Sequence, residues 1–516
     1  MNIAENIVYT TTLEQLLNGL VELPRELPSE FSVRISGVAL DSRLVQPGDL
    51  FFACFGKNHD ARDYIDEAIA RGALAVLVHA GGKWQGVTLR QGVIVLAVDD
   101  LAARAGYIIA RFFDEPSAAM TMIGVTGTNG KTSCTQFIAQ TLHSMQRCCG
   151  VVGTLGVGIP PALVETAYTT PDPVQVQAAL ANLRALGADT VAMEVSSQGL
   201  HQHRVNGVRF DVAVFTNLTR DHLDYHGSMD EYFAAKQQLF MMPSLSSAVV
   251  NIDDVYAAQM LNSLTPSVRS FTYSTSNAHA DVYPLRVELH RQGFRARVHT
   301  PYGDGELHCA LLGSFNFSNV LAVLSTLLAT ECARSDFDLT ELLQHLSRLQ
   351  PVAGRMELVA GDSDITAVVD YAHTPDALRV SLLALREHFT GKIWCVFGCG
   401  GNRDQGKRPL MAEMAEKFAD HLIVTDDNPR MENADEIVRQ IVLGITDTSR
   451  LLVERHRASA IEKAILGAQP GDVVLIAGKG HENYQDENGK KMPFSDVAQA
   501  RLALAQRKTM QRSKKR

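Results

Sequence analysis

The residues from Met120 to Leu142, MTMIGVTGTNGKTSCTQFIAQTL, constrain the fold more than any other stretch. An apolar strand enters a glycine-rich turn, which gives way at Lys131 to a helix. Gly127 and Gly130 let the backbone fold back so that successive N–H groups face an anion, and the helix directs its positive dipole end at the same point. In such a cradle Lys131 reaches the β- and γ-phosphates of a nucleoside triphosphate, and the Thr132 hydroxyl sits on Mg²⁺. The strict pattern G-x-x-x-x-G-K-[ST] would put its first glycine at Val125; here the match is GTNGKT, with Gly124 displaced by one. ATP or GTP binding is the expectation, through Gly127, Thr128, Asn129, Gly130, Lys131, Thr132 and Ser133.

Composition agrees with a soluble enzyme. The chain has 516 residues, 46% of them hydrophobic, enough for about three domains of roughly 150 residues each. A formal charge of −9 argues against a nucleic-acid-binding surface. The C-terminal run RKTMQRSKKR, from Arg507 to Arg516, is the basic exception and reads as a disordered, solvated end. The eight cysteines show neither C-x-x-C spacing nor Cys/His clusters, so reduced thiols and a cytoplasmic location are expected. No secretory pattern is seen near Glu5, and nowhere do about 18 apolar residues run together, which predicts no membrane insertion.

Runs rich in β-branched residues alternate with helical patterns, as in ALAVLV from Ala73, VIVLAV from Val93, VAVF from Val212 and AVVN from Ala248. This predicts an α/β fold with mainly parallel sheets. Breaks near Pro116 and Pro351 divide the chain into three domains, 1–116, 117–351 and 352–516. The last restarts the alternation in AVVDYAHTPDAL, IWCVFGCGG, HLIVTDDNPR and DVVLIAGKGHE. These are four strands, each ending in polar or glycine-rich residues, where open α/β sheets bind ligands.

Two segments of the middle region carry chemistry. VAMEVSSQGLHQHR puts Glu194 at the end of an apolar strand, and VFTNLTRDHLDYHG puts His222 after VAVF. Taken alone, each reads equally as a satisfied polar group at a strand end. Beside a phosphate loop, both can approach the Mg²⁺ held by Thr132.

The set GTNGKT, EVSS, NLTRDHLDYHG, YFAAK, GSFNFSN, GRME, DYAHTPDAL, GCGGNRDQGKRP, DNPR and AGKGHE resembles the Mur ligases over nearly the whole chain. Within that family it resembles the branch that adds the third peptide residue to UDP-N-acetylmuramoyl-L-alanyl-D-glutamate. GTNGKT alone would also admit folylpolyglutamate and cyanophycin synthetases; LDSR together with DNPR is more restrictive. The resemblance implies an N-terminal UDP-binding α/β domain, a central P-loop-type ATPase domain with a parallel sheet, and a C-terminal Rossmann-like domain that brings the incoming amino acid. It further implies a monomer acting on small-molecule substrates, with ATP and Mg²⁺ and without nucleic acid.

Carried over position by position, the resemblance gives Leu40, Ser42, Lys57, Asn58 and His59 to the uridine nucleotide, although Ser42 by itself is a turn residue. Thr169, Thr170, Ser196, Gln202 and Arg204 go to the muramoyl-peptide arm, where an arginine suits an anionic substrate. Lys236 stands where the family carries a carbamoylated lysine, N6-carboxylysine; without the family it is one more lysine on an amphipathic helix. Its carbamate would join Thr132, Glu194 and His222 around the metal. Asn316, Asn319, Arg355 and Asp370 match positions that contact ATP, with Arg355 able to stabilise the transferring phosphoryl group; the two asparagines also read as caps of the following helix.

Choice of amino acid falls to Asp427, Asn428, Pro429 and Arg430, with Arg403, Gly478 and Glu482. In the family, DNPR accompanies meso-diaminopimelate, whose second carboxylate suits the fork of Arg430, while Glu482 suits a substrate ammonium. Standing alone, DNPR reads as a turn. The catalytic set implied is Lys131, Glu194, His222, Lys236 and Arg355. The reaction implied is phosphorylation of the D-glutamyl carboxylate by ATP to an acyl phosphate, then attack by the diaminopimelate amine to form an amide. A lysine-adding synthetase is the alternative within the same chemistry, and a nucleotide-hydrolysing switch is the alternative outside it.

Overall fold

The computed structural model describes residues 9–23, 29–56, 60–332, 334–359 and 363–514. They fall into two compact units, Met1–Val282 with Ala322–Phe337, and Tyr283–Leu321 with Asp338–Arg516. Among the described residues no helix is long and apolar enough to cross a membrane.

The first unit contains two principal sheets. The smaller runs in the order Gly37–Ala39, Asp49–Ala53, Ala75–His79, Val93–Val98 and Val87–Arg90, parallel except for its last edge strand. The larger has eight strands. Its centre is Thr121–Thr126, flanked in parallel by Thr190–Glu194 and Val212–Phe215, with Ser247–Asn251 and Arg269–Tyr273 beyond the latter. On the other side an antiparallel hairpin, Gly156–Ile159 with Ala162–Val164, closes the edge beside Cys149–Gly153. The central strands are rich in β-branched residues and buried along their whole length, because helices cover both faces of a parallel sheet. Every loop at their carboxyl ends therefore opens on the same side.

The second unit departs from the expectation in three places. An antiparallel sheet, Tyr283–His290, Gly293–Thr300 and Gly303–Cys309, precedes the parallel one. The mainly parallel sheet itself has six strands rather than four, its edge strand Glu357–Leu358 running antiparallel. The short strands Glu357–Leu358 and Leu451–Val453 flank Thr366–Asp370, Val473–Ala477, Ile393–Phe397 and His421–Val424.

The third departure is the basic C-terminal run, expected to be disordered: as far as Lys514 it is part of the helix Asp496–Lys514. Arg507 is buried, its guanidinium paired with Asp364 at 2.7 and 2.9 Å and donating to the carbonyls of Ile465 and Ala468. Those carbonyls lie at the C-terminal end of the helix Arg457–Gly467, where unsatisfied C=O groups draw a cation.

Candidate active site

The turn after Thr121–Thr126 is shaped by its glycines. Gly127 has φ +148°, and a Cβ there would lie 1.9 Å from the Thr216 hydroxyl. Gly130, at φ +88°, starts the helix Lys131–Ser144. The segment after Val212–Phe215 braces this loop. Asn217 accepts from the backbone N–H groups of Thr128, at its carbonyl (2.8 Å), and of Asn129, at its side chain (2.9 Å), while Thr216 donates to the Asn129 carbonyl at 2.6 Å. Lys131 folds over the loop, its Nζ donating to the carbonyls of Gly127 and Thr128 at 2.7 and 2.9 Å. Ser133 is buried in the first turn of the helix.

Thr132 donates to Glu194 at 2.9 Å, and the wholly buried carboxylate also accepts from the Thr154 backbone (2.8 Å) and hydroxyl (3.1 Å). The Thr154 hydroxyl in turn lies 3.0 Å from that of Thr169. Thr170 donates to the Glu194 carbonyl and receives the Ser196 N–H, and Arg204 donates to the Thr170 carbonyl at 2.8 Å. Arg204 is also bonded to Gln202, and its guanidinium stands 4.9 Å from the Tyr168 ring centre. The residues expected on the peptide arm thus form one network with the phosphate loop.

Lys236, on the helix Met229–Phe240, is wholly buried, with Nζ 2.9 Å from the Gly127 carbonyl and 4.6 Å from the Tyr232 ring centre. Burial, and secondly the Lys131 charge, push its pKa well below the ordinary lysine value. His222, at φ +52°, stands beside Asp221 with 44% of its side chain exposed. Burial lowers its pKa, with Lys131 and Lys236 adding to the effect and Asp221 opposing it. Both groups are therefore biased to their neutral forms, in which an imidazole can ligate and an amine can react. Among the described residues no three His, Cys, Asp or Glu side chains cluster to hold a metal. Thr132 and Glu194 nevertheless supply the hard oxygen donors that Mg²⁺ takes when phosphate and water complete its shell.

In the second unit, Asp370 ends its strand and accepts from the N–H groups of Met356 and Ala372 and the hydroxyl of Ser381. Burial raises its pKa against the pull of Arg355. The Arg355 guanidinium lies 4.6 Å from the Tyr371 ring centre, and its buried Nε has no hydrogen-bond partner among the described residues, as suits a donor kept for an anion. Asn316 and Asn319 do not cap the helix Ser314–Glu331 but lie within it, buried, where Asn316 donates to the Leu312 carbonyl and Asn319 to Asn316.

The segment Asp427 to Arg430 is more than a turn. Asn428 donates to Glu482 at 2.8 Å, and Arg430, at φ +53°, donates to the Gly401 carbonyl at 2.8 Å. Pro429 is buried between them and Arg403 is exposed nearby in the chain, bonded to the Asn402 carbonyl. Gly478 has φ +117°, and a Cβ there would meet Asp427 at 2.5 Å. Sequence reasoning missed Lys479, wholly buried between Asn428 and Glu482. Its signal was a lone lysine between two glycines at a strand end. Of the residues expected to bind uridine, Leu40 is partly buried after Gly37–Ala39, and Ser42 is buried and donates to Glu67 at 3.3 Å. Lys57, Asn58 and His59 lie outside the described residues.

Three family models match in succession: the Mur ligase family catalytic domain over 34–112, the Mur ligase middle domain over 125–327, and the Mur ligase glutamate ligase domain over 354–480. A protein of Ectopseudomonas mendocina named UDP-N-acetylmuramoyl-L-alanyl-D-glutamate–2,6-diaminopimelate ligase is 48% identical over 477 residues, covering 92% of this chain and 96% of its own. The chain belongs to the Mur ligase family. A Coxiella burnetii relative of the same name is 47% identical over 92% of this Mur ligase and 96% of its own length. A solved structure of a ligase so named matches at 37% identity with a TM-score of 0.72, covering 97% of this chain and 99% of the other. The three-domain Mur ligase architecture and the α/β fold expected from the sequence are those observed.

Proposed function

We propose that this Mur ligase joins meso-diaminopimelate to the D-glutamyl carboxylate of UDP-N-acetylmuramoyl-L-alanyl-D-glutamate, with ATP converted to ADP and phosphate. Near-full-length identity of 48% to a ligase named for these two substrates carries the reading. We assign the domains to 1–116, 117–351 and 352–516, and the setting to the cytoplasm, as a monomer building peptidoglycan precursors.

The hydrogen-bond chain from Thr132 through Glu194 and Thr154 to Thr169 supports adjacency of the phosphoryl donor and the peptide arm. A carboxylate resists attack because its charge is delocalised, so it must first gain a leaving group. Its oxygen takes the γ-phosphoryl group from ATP, releasing ADP. The substrate amine then attacks the acyl carbon, and phosphate leaves as the amine loses a proton. Lys131 neutralises phosphate charge, Arg355 offers its unpaired Nε, and no side chain needs to act as nucleophile. We assign Asn316, Asn319 and Asp370 to the nucleotide as well.

Mg²⁺, held by Thr132, Glu194, His222 and a modified Lys236, would supply positive charge to the phosphate oxygens. The neutral amine favoured at Lys236 supports the modification: its nitrogen adds to CO₂, a proton leaves, and the neutral amine becomes a carbamate anion. We assign Arg403, Asp427, Asn428, Pro429, Arg430, Gly478 and Glu482 to diaminopimelate. Leu40, Ser42 and the segment 57–59 go to uridine, and Thr169, Thr170, Ser196, Gln202 and Arg204 to the peptide arm. Ligation of UDP-muramoyl dipeptide with diaminopimelate and lysine in competition tests the reading; a lysine product would replace it with the lysine-adding activity.

A further inference from the structure

We propose that Lys479 is the positioning residue of the amino-acid site, holding Asn428 and Glu482 in register for the incoming diamino acid. The inference rests on the assignment of those two residues to that substrate. Lys479 follows the strand Val473–Ala477 by two residues and is wholly buried. Its Nζ donates to Asn428 Oδ1 at 2.9 Å and to Glu482 Oε2 at 3.0 Å, lies 3.9 Å from Asp427 Oδ1, and stands 5.6 Å from the Tyr484 ring centre.

An ammonium has three N–H bonds and is costly to bury unless they are answered, and here three oxygens from two separate chain segments surround it. Asn428 directs its own amide N–H to the same Glu482 Oε2, at 2.8 Å, so one carboxylate oxygen is gripped twice. Among the described residues Glu482 Oε1 receives no hydrogen bond, which leaves it for a substrate ammonium. A methionine would fill the space of Lys479 without burying a charge. What it could not do is offset the repulsion between Asp427 and Glu482 while fixing which Glu482 oxygen stays open.

Steady-state kinetics on the full chain test this, with Michaelis constants measured for diaminopimelate, ATP and UDP-muramoyl dipeptide. Lys479→Met should raise KM for diaminopimelate about tenfold, the size of one lost charge-assisted hydrogen bond, and leave the other two within about twofold. On a Glu482→Gln background the same change should add less than about threefold, because the partner it positions is already altered. An unchanged KM for diaminopimelate, or a parallel rise in all three, overturns the proposal. If Lys479→Met alone fails to fold, the double variant decides, since it removes both charges. A KM close to that of Glu482→Gln supports positioning, whereas a further tenfold loss, or failure of the double variant to fold, makes Lys479 a structural strut. A wild-type enzyme that does not incorporate diaminopimelate sinks the substrate reading instead, and the comparison is then made on the amino acid it does incorporate.

Discussion

Nζ of Lys236 lies 2.9 Å from the Gly127 carbonyl oxygen, the same oxygen that accepts from Lys131 at 2.7 Å. Two lysines converge on one neutral acceptor at the mouth of a phosphate loop. Their mutual repulsion is relieved by an arriving anion or by loss of one charge, and the burial of Lys236 selects it as the one to lose.

Lys131 is the lysine expected to meet the phosphates. Lys131→Ala should lower ligation about 10²–10³-fold, as removal of a preorganised electrostatic group does elsewhere, while the thermal unfolding midpoint stays close to wild type. Turnover measured at saturating substrates checks it, and near-wild-type turnover would remove Lys131 from the mechanism.

Lys236 should make stability depend on pH in a defined direction. Its folded pKa lies well below the ordinary 10.5, so between those values the unfolded chain binds a proton that the folded chain has lost. Stability owed to this group therefore rises with pH across that window and is flat below the folded value, where both states hold the proton. In CO₂-free buffer, the unfolding free energy of wild type minus that of Lys236→Met should increase as pH rises toward the ordinary lysine value of 10.5. A difference that is flat with pH contradicts a neutral buried amine.

The Glu194 carboxylate is held by three donors, one from Thr132 and two from Thr154. Glu194→Gln replaces an acceptor-only carboxylate by an amide with two N–H groups facing existing donors. Ligation should fall about a hundredfold or more, and the Mg²⁺ concentration needed for half-maximal rate should rise. A variant with an unaltered Mg²⁺ requirement would separate Glu194 from the metal.

Arg507→Met removes a buried guanidinium from Asp364 and from the end of the helix Arg457–Gly467. The loss should be about 2 kcal/mol of unfolding free energy, read by denaturant titration, with ligation unchanged at temperatures where the protein is folded. Arg507 holds the Asp364 pKa below the ordinary carboxylate value. The stability this gives is present at neutral pH and is lost as pH falls through the lowered value, so wild type and variant should converge in acid. No change in stability would mean that the helix docks without its arginine.

How much of this was legible in the sequence depended on whether the signal was local. Strand, glycine turn and helix from Thr121 to Ser144 were readable because each residue's role there follows from its immediate neighbours. The strand Gly293–Thr300 alternates buried Phe294, Ala296 and Val298 with exposed Arg295 and Arg297, a period of two that is masked in the sequence by the surrounding runs of the buried parallel type. Arg507 and Lys479 were opaque for another reason. Each has its meaning in a partner far along the chain, Asp364 for one and Asn428 for the other. A charged residue in a basic tail or a glycine-rich turn carries no local mark of burial.

Competition between meso-diaminopimelate and lysine, in an ATP-dependent ligation with UDP-N-acetylmuramoyl-L-alanyl-D-glutamate followed by product mass, tests the central claim most directly. The account predicts the diaminopimelate product from wild type, and a loss of preference for it, by about tenfold or more, in Arg430→Ala. Lysine incorporation by wild type, or an Arg430→Ala enzyme whose preference is undiminished, would contradict it.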